Sequence, residues 1–167
     1  MEYDFIVVGG GLVGSSIAYG LAGQKYKVAV LDGGDRSFRA SRGNFGLVWV
    51  QGKGADFAPY AQWTGQAADL WPEFVEELAS KTGLGIDYQR SGGMHFCLDE
   101  AEWDERVQEM EQVREHTNGS FKYEMLSHAQ LKKQIPQISN KVLGASYSPQ
   151  DGHVNPLYLL QALQQGM

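Results

Sequence analysis

The sequence has a single cysteine and no apolar run long enough to cross a membrane. Cys97 has no second cysteine with which to form an internal disulfide, and such usage fits a reducing cytoplasm. A membrane-spanning helix needs about 20 consecutive apolar residues, and polar residues interrupt every run of this chain sooner. We therefore expect a cytoplasmic protein, with peripheral attachment to the inner membrane as the alternative.

A net positive charge and a metal-ligand spacing are also missing. The formal net charge is −6, which disfavours nucleic acid as a partner because its phosphates demand a basic surface. His116, His128 and His153 have no metal-ligand spacing with one another or with Cys97. The sequence therefore predicts neither a nucleic-acid-binding protein nor a metal site.

One stretch departs from the acidic average. Residues 36–55 contain no acidic side chain but four basic ones: Arg36, Arg39, Arg42 and Lys53. A local positive field in an acidic protein indicates an anionic ligand, and a dinucleotide pyrophosphate is the obvious candidate. The alternative is a solvated loop without a ligand.

The strongest motif lies at the start of the chain. An apolar run from Phe5 to Val8 ends at Gly9-Gly10-Gly11-Leu12-Val13-Gly14, a helix-period stretch follows, and a second β-branched run ends at Asp32. This order predicts a βαβ unit. Gly9 allows a tight turn, Gly11 leaves room for a pyrophosphate, and Gly14 lets the helix pack closely on the strands.

The acid at the end of the second run indicates which nucleotide fits. Asp32 lies 18 residues after Gly14, where a carboxylate accepts hydrogen bonds from a ribose 2′-hydroxyl. An acid at this position argues against a 2′-phosphate and hence against NADP. A glycine loop that only turns the chain is the structural alternative to dinucleotide binding.

Further elements follow in order. Apolar residues from Trp63 to Ala79 recur at helical spacing and predict a core-facing stripe, with a kink or break at Pro72. Two strands are expected around Ser91-Gly92 as a hairpin or bulge. Asn155 and Pro156 predict the start of a last helix. His95, on the second of these strands, is expected to be structural.

Four segments together resemble a known family. Asp4 to Asp32, Ala40 to Leu47, Arg90 to Phe96 and Asp151 to Pro156 are similar to the amino-terminal part of FAD-dependent D-amino-acid oxidases and dehydrogenases of the DAO type, which include glycine and sarcosine oxidases. The segment from Arg39 to Gly54 most resembles opine oxidase or D-hydroxyproline dehydrogenase subunits. The resemblance runs in order along essentially the whole chain.

The resemblance implies an α/β fold, with a Rossmann-like FAD-binding βαβ unit and part of an α+β substrate domain. It implies an FAD-binding portion at 1–85, a partial substrate domain at 86–148 and a return segment at 149–167, in a chain that looks truncated at its carboxyl end. The glycines would hold the pyrophosphate, Asp32 the ribose, Ser41 and Arg42 the phosphates, and Asn44, Phe45 and Gly46 the isoalloxazine ring. The complete implied cofactor set is Gly9, Gly11, Leu12, Val13, Gly14, Asp32, Gly33, Ser41, Arg42, Asn44, Phe45 and Gly46.

The implied reaction is oxidation of an amine, such as a D-amino acid, a glycine derivative or an opine. A hydride from the carbon beside nitrogen would pass to flavin N5, and the imine would then hydrolyse. The resemblance assigns no catalytic residue within this chain. Three readings stay open: the flavin-binding part of such an enzyme, a non-catalytic dinucleotide-binding module completed by a partner subunit or a missing segment, and an NAD-dependent dehydrogenase. A chain truncated in this way would expose a strand edge, which favours self-association.

Overall fold

The computed structural model describes residues 2–33 and 39–167. Their contacts form two compact units. One unit contains the described residues of 1–47 together with Pro72–Tyr88 and Val154–Met167, and the other contains Val48–Trp71 and Gln89–His153. The predicted functional division at 85 and 148 concerns cofactor and substrate roles, so it stays a prediction.

The first unit begins with the βαβ arrangement. Strand β1 (Phe5–Val8) and strand β2 (Val28–Leu31) pair in parallel, with Phe5 opposite Val28 and Val8 opposite Leu31. Helix α1 (Leu12–Gly23) connects them, and parallel strands need such a crossover because a tight turn cannot join them. The predicted βαβ unit is confirmed.

The last helix, α5 (Pro156–Gly166), packs against α1 within this unit. Its first turn is capped as the sequence predicts: the Asn155 side chain accepts hydrogen bonds from the N–H groups of Leu157 (3.1 Å) and Tyr158 (3.3 Å), and Pro156 occupies the first turn. The buried side of the helix consists of Leu159, Leu160, Ala162 and Leu163.

Helix α2 (Ala58–Thr82) corrects two expectations. It runs unbroken through Pro72, so the predicted break is wrong: proline removes one hydrogen bond, and buried side chains anchor the helix on both sides of it. Ala68 precedes the proline and Leu78 follows it. The apolar stripe is not uniformly buried either, since Trp63 is 68% and Leu70 63% exposed. The helix ends before Gly83, whose φ is +70°.

The second unit is built on an antiparallel sheet of order β5-β7-β6. Its strands are β5 (Gly93–Cys97), β6 (Glu124–Ser127) and β7 (Gly144–Ser148). Two helices accompany the sheet, α3 (Glu100–His116) and α4 (His128–Gln134). The Asp99 side chain caps α3 by accepting from Glu102 N–H at 2.9 Å, and Ser127 with Gln130 forms a capping box at the start of α4.

The hairpin expected around Ser91-Gly92 is absent. Strand β4 (Tyr88–Gln89) belongs to a different three-stranded sheet, of order β3-β8-β4, with β3 at Leu47–Val48 and β8 at Gly152–Val154. Gly92 has a φ of +86°, and its N–H donates to the carbonyl of Asp151 at 3.0 Å. The turn thus directs the chain away from β4 before β5 begins.

A buried polar network centred on Asp151 connects distant parts of the second unit. Its fully buried carboxylate accepts from the backbone N–H groups of Val50 (2.6 Å) and Gln51 (3.3 Å), and from the Gln51 side chain. Gln51 Oε1 in turn accepts from Arg106 (2.6 Å) and from Ser146 Oγ (2.7 Å). Burial raises the pKa of the Asp151 carboxyl, while the N–H donors of Val50 and Gln51 oppose that rise.

Within the described residues, no helix combines the length and apolar character that a membrane span requires.

Asp151→Asn should lower the free energy of unfolding by about 1–3 kcal/mol, because the new amide N–H₂ would face N–H donors. Gln51 cannot rotate its amide to compensate, since its Oε1 already accepts from Arg106 and Ser146. The control is Asp69→Asn, which changes an exposed carboxylate paired with Arg90 and should cost less than about 1 kcal/mol. Equal urea-unfolding midpoints for the two variants would contradict a special role of the network.

Candidate functional site

A pocket of about 210 Å³ lies in the first unit, where β1 turns into α1. Its floor is the glycine turn, and charged side chains from the end of β2 and from the segment after it form part of its wall. The lining residues are Gly10, Gly11, Asp32, Arg39, Ser41, Arg42, Leu160 and Gln164.

The backbone of Gly10 is held on both sides, through the N–H of the Gly9–Gly10 peptide and the carbonyl of the Gly10–Gly11 peptide. Its N–H donates to Asp32 Oδ2 at 2.5 Å. Its carbonyl accepts from Ser15 Oγ at 3.2 Å and from Gln164 Nε2 at 3.2 Å. The turn between β1 and α1 is therefore fixed by a carboxylate on one side and by two helices on the other.

The glycines of the motif meet different constraints. Gly9 has a φ of +102°, a backbone conformation that residues other than glycine rarely adopt. A Cβ at Gly14 would overlap the Gly9 carbonyl oxygen, which is the close approach expected of that position. At Gly11 a Cβ would lie 2.7 Å from Ser41 Oγ, so an added methyl group would meet the serine hydroxyl.

The amino terminus of α1 opens into this region without an acidic residue in its first turn. Its aligned peptide dipoles favour negative charge there. Leu12 N–H donates to Ser41 Oγ at 2.9 Å, which fixes the serine hydroxyl beside the glycine turn. The start of α1 is thus suited to an anion.

The basic segment, residues 36–55, contributes less positive charge to the pocket than its composition suggests. Arg39 forms an ion pair with Asp32, and both side chains are about one-third exposed. Arg42 lines the pocket, Lys53 belongs to the second unit, and Arg36 lies outside the described residues. Of the predicted cations that the structure describes, Arg39 and Arg42 therefore reach the pocket, and the charge of Arg39 is offset by Asp32.

The structure brings some of the predicted cofactor residues together and not others. Gly11, Asp32, Ser41 and Arg42 line the pocket. The glycines at 9 and 14 shape the turn, and Leu12, Val13 and Gly33 adjoin the lining residues along the chain. Their roles toward a cofactor stay predictions.

The segment predicted to run beside a flavin ring forms a turn of its own. The Asn44 amide donates to the carbonyls of Ala40 (3.2 Å) and Ser41 (3.1 Å), and its oxygen accepts from Gly46 N–H at 2.8 Å. Gly46 has a φ of +66°, and a Cβ there would overlap the Val154 carbonyl oxygen. Phe45, between them, is 90% exposed.

Sequence reasoning missed Leu160 and Gln164 as pocket residues. Both lie on α5, about 150 residues after the glycine turn, as the 154-residue separation of Gln164 from Gly10 shows. Nothing in the local pattern of α5 distinguishes Gln164 from the glutamine beside it. Only the packing of α5 against α1 brings it to the pocket.

His95 and Cys97 lie on β5 in the second unit. Desolvation, together with the charge of Arg106, lowers the pKa of His95. Cys97 is buried, and burial raises the pKa of its thiol. A neutral imidazole and a protonated buried thiol are consistent with the structural role expected of His95 and give no reason to call Cys97 a nucleophile.

Gly11→Ala should lower the free energy of unfolding by about 1–3 kcal/mol, the usual cost of overpacking. Backbone strain is not the cause, because Gly11 has a φ of −77°. In a Ser41→Ala background the same change should cost at least about 1 kcal/mol less, because the obstructing hydroxyl is gone. Strictly additive effects in urea unfolding would refute the contact between positions 11 and 41.

Comparison with known proteins places these features in a family. The family description "FAD dependent oxidoreductase" (DAO) matches residues 4–167. An opine oxidase subunit of Agrobacterium tumefaciens (strain Ach5) is 42% identical over 167 residues, which cover 99% of this chain and 45% of that protein. The corresponding opine oxidase subunit of Rhizobium meliloti is 41% identical with the same coverage.

A solved structure agrees with this match. Glycine oxidase from Geobacillus kaustophilus superposes with a TM-score of 0.85 at 27% identity, over 98% of this chain and 44% of that one. The chain thus spans less than half the length of these relatives. The expected α/β, Rossmann-like fold class and the expected cofactor of the family, FAD, are confirmed. The chain belongs to the DAO family of FAD-dependent oxidoreductases.

Proposed function

We propose that this chain is the flavin-binding portion of an enzyme that oxidises the C–N bond of an amine, with an opine, a glycine derivative or a D-amino acid as substrate. The pocket at the glycine turn is the observation that carries the cofactor part of the proposal. The substrate class rests on relatives that are named as opine oxidase and glycine oxidase proteins.

The lining of the pocket fits the adenosine diphosphate half of FAD. Gly11 presents backbone without a side chain, and the start of α1 favours a pyrophosphate. Ser41 and Arg42 would contact the phosphates, the first through its hydroxyl and the second through its charge. Asp32, at the end of β2, would accept hydrogen bonds from the ribose hydroxyls.

Asp32 has to serve two sets of donors in this proposal. Its carboxylate accepts from Gly10 N–H and pairs with Arg39. A carboxylate has about four acceptor sites on its two oxygens, so one carboxylate can accept from more than one group. The ion pair with Arg39 would then keep the Asp32 carboxylate oriented.

The turn from Asn44 to Gly46 would lie beside the flavin ring. Its shape is set by the Asn44 side chain and by the positive φ of Gly46, so the backbone is fixed before a ligand arrives. Phe45 exposes a large apolar ring, a surface that burial against a flat aromatic ligand would remove from water. When bound, FAD would accept the hydride removed from the substrate carbon.

The rest of the site is proposed to come from outside this chain. Ile6, Val8 and Leu31 on the β1-β2 sheet are more than half exposed, and Val8 is 83% exposed, although such strands are normally covered on both faces. We propose that the part of the relatives' length that this chain does not span, or a partner subunit, covers this sheet and supplies the residues that grip the substrate. Self-association of this chain is the alternative.

The lone buried Cys97 supports a cytoplasmic location.

The first test is the visible spectrum of the purified chain after incubation with excess FAD and gel filtration. We expect flavin absorption to elute with the protein, and we expect NAD to be retained less. Retention of NAD in preference to FAD would reject the assignment. Retention of neither would mean that this chain does not hold the cofactor without the remaining parts of the site.

Asp32→Ala should weaken binding of FAD and of ADP by the same factor, about tenfold or more, because each loses hydrogen bonds to a charged acceptor. Asp69→Ala is the matched control, since Asp69 also pairs with an arginine but lies in the second unit. Isothermal titration with ADP and fluorescence titration with FAD measure both. A loss for FAD alone would place Asp32 away from the ribose.

A further inference from the structure

Gln164 occupies a position that neither the glycine motif nor the family match assigns. It lies in the last part of α5, its side chain lines the pocket, and its Nε2 donates to the Gly10 carbonyl at 3.2 Å. Leu160, one helical turn earlier, also lines the pocket and is buried. The buried leucine therefore fixes the helix at the point from which Gln164 reaches the glycine turn.

The direction of the Gly10 carbonyl decides the direction of the next amide. No cis peptide bond occurs among the described residues, and in a trans peptide the C=O and the following N–H point in opposite directions. Since the Gly10 carbonyl points to Gln164 and Ser15, the Gly11 N–H points away from them. An amide fixed in this way needs no reorientation when an anion binds.

Gln165 provides an internal comparison. Its Nε2 donates to the Thr82 carbonyl at 3.0 Å, so it makes the same type of bond from the same helix to a backbone oxygen in the same unit. Both glutamines are exposed, and bonds open to water add little to stability. The two differ in what they hold: Gln165 holds the end of α2, and Gln164 holds the glycine turn.

We propose that Gln164 is a positioning residue for the dinucleotide site, which fixes the Gly10–Gly11 peptide so that its amide faces the pyrophosphate. The inference rests on the proposed function and extends it to a residue of α5. Because Asp32 holds the Gly10 N–H, Gln164 and Asp32 restrain the turn from opposite sides. Loss of Gln164 leaves the Ser15 hydroxyl as a donor to the Gly10 carbonyl, so the peptide is held less tightly and the cost of ordering it around the ligand rises.

The test compares Gln164→Leu with Gln165→Leu, both in this chain. Gln164→Leu should weaken FAD and ADP equally, by about three- to tenfold, which is the effect of one hydrogen bond. Gln165→Leu should bind both as the wild type does, while the urea-unfolding midpoints of the two variants shift by similar amounts. Equal weakening by both variants would reduce Gln164 to a contributor to the stability of α5, and wild-type binding by Gln164→Leu would overturn the proposal.

A second measurement does not depend on the cofactor. Amide hydrogen exchange of Gly10 and Gly11, followed by NMR without nucleotide, should become at least about threefold faster in Gln164→Leu and remain unchanged in Gln165→Leu. If the wild-type chain bound neither FAD nor ADP, it would not hold the cofactor without the remaining parts of the site, and hydrogen exchange would still test the positioning role of Gln164. Unchanged exchange at both glycines would overturn it.

Discussion

The hydrogen bonds to the backbone of Gly10 are the constraint on which the pocket at the glycine turn depends. Asp32 holds its N–H, and Ser15 and Gln164 hold its carbonyl, so the end of β2 and two helices converge on the backbone of one residue. An exposed glycine loop would otherwise sample many conformations at low cost. The bond from Gly10 to Asp32 also brings the carboxylate at the end of β2 next to the start of α1, so that both border the same pocket.

In the second unit a buried network of polar side chains restrains the chain. Asp151, Gln51, Arg106 and Ser146 satisfy one another in its interior, where an unpaired polar group would be expensive. The network ties the segment after β3 to the chain about 100 residues later. These buried polar groups can stabilise the unit because their donors meet acceptors within the network. The strength of ion pairs is not the reason.

Local patterns were sufficient wherever a neighbouring residue supplies the partner. The cap formed by Asn155 and the βαβ unit are both visible in short segments. The break at Pro72, the uniformly buried stripe of α2 and the hairpin at Ser91-Gly92 are wrong for one shared reason. Each depends on what packs against the segment: buried residues on both sides of Pro72, a core contact through small alanines, and the Asp151 carbonyl that accepts from Gly92.

The sequence alone predicted the type of site, because glycine spacing, a strand before it and an acid after it are chemical requirements of nucleotide binding that lie within about 30 consecutive residues. It also pointed to the family, since four separated segments match in order. Only the tertiary structure shows which residues line the pocket. Arg39 turned out to neutralise Asp32, Asn44 to be used within its own turn, and Gln164 to reach Gly10 across 154 residues. Such contacts are set by how helices pack in space, and a pattern read along the chain carries no record of distance between segments so far apart.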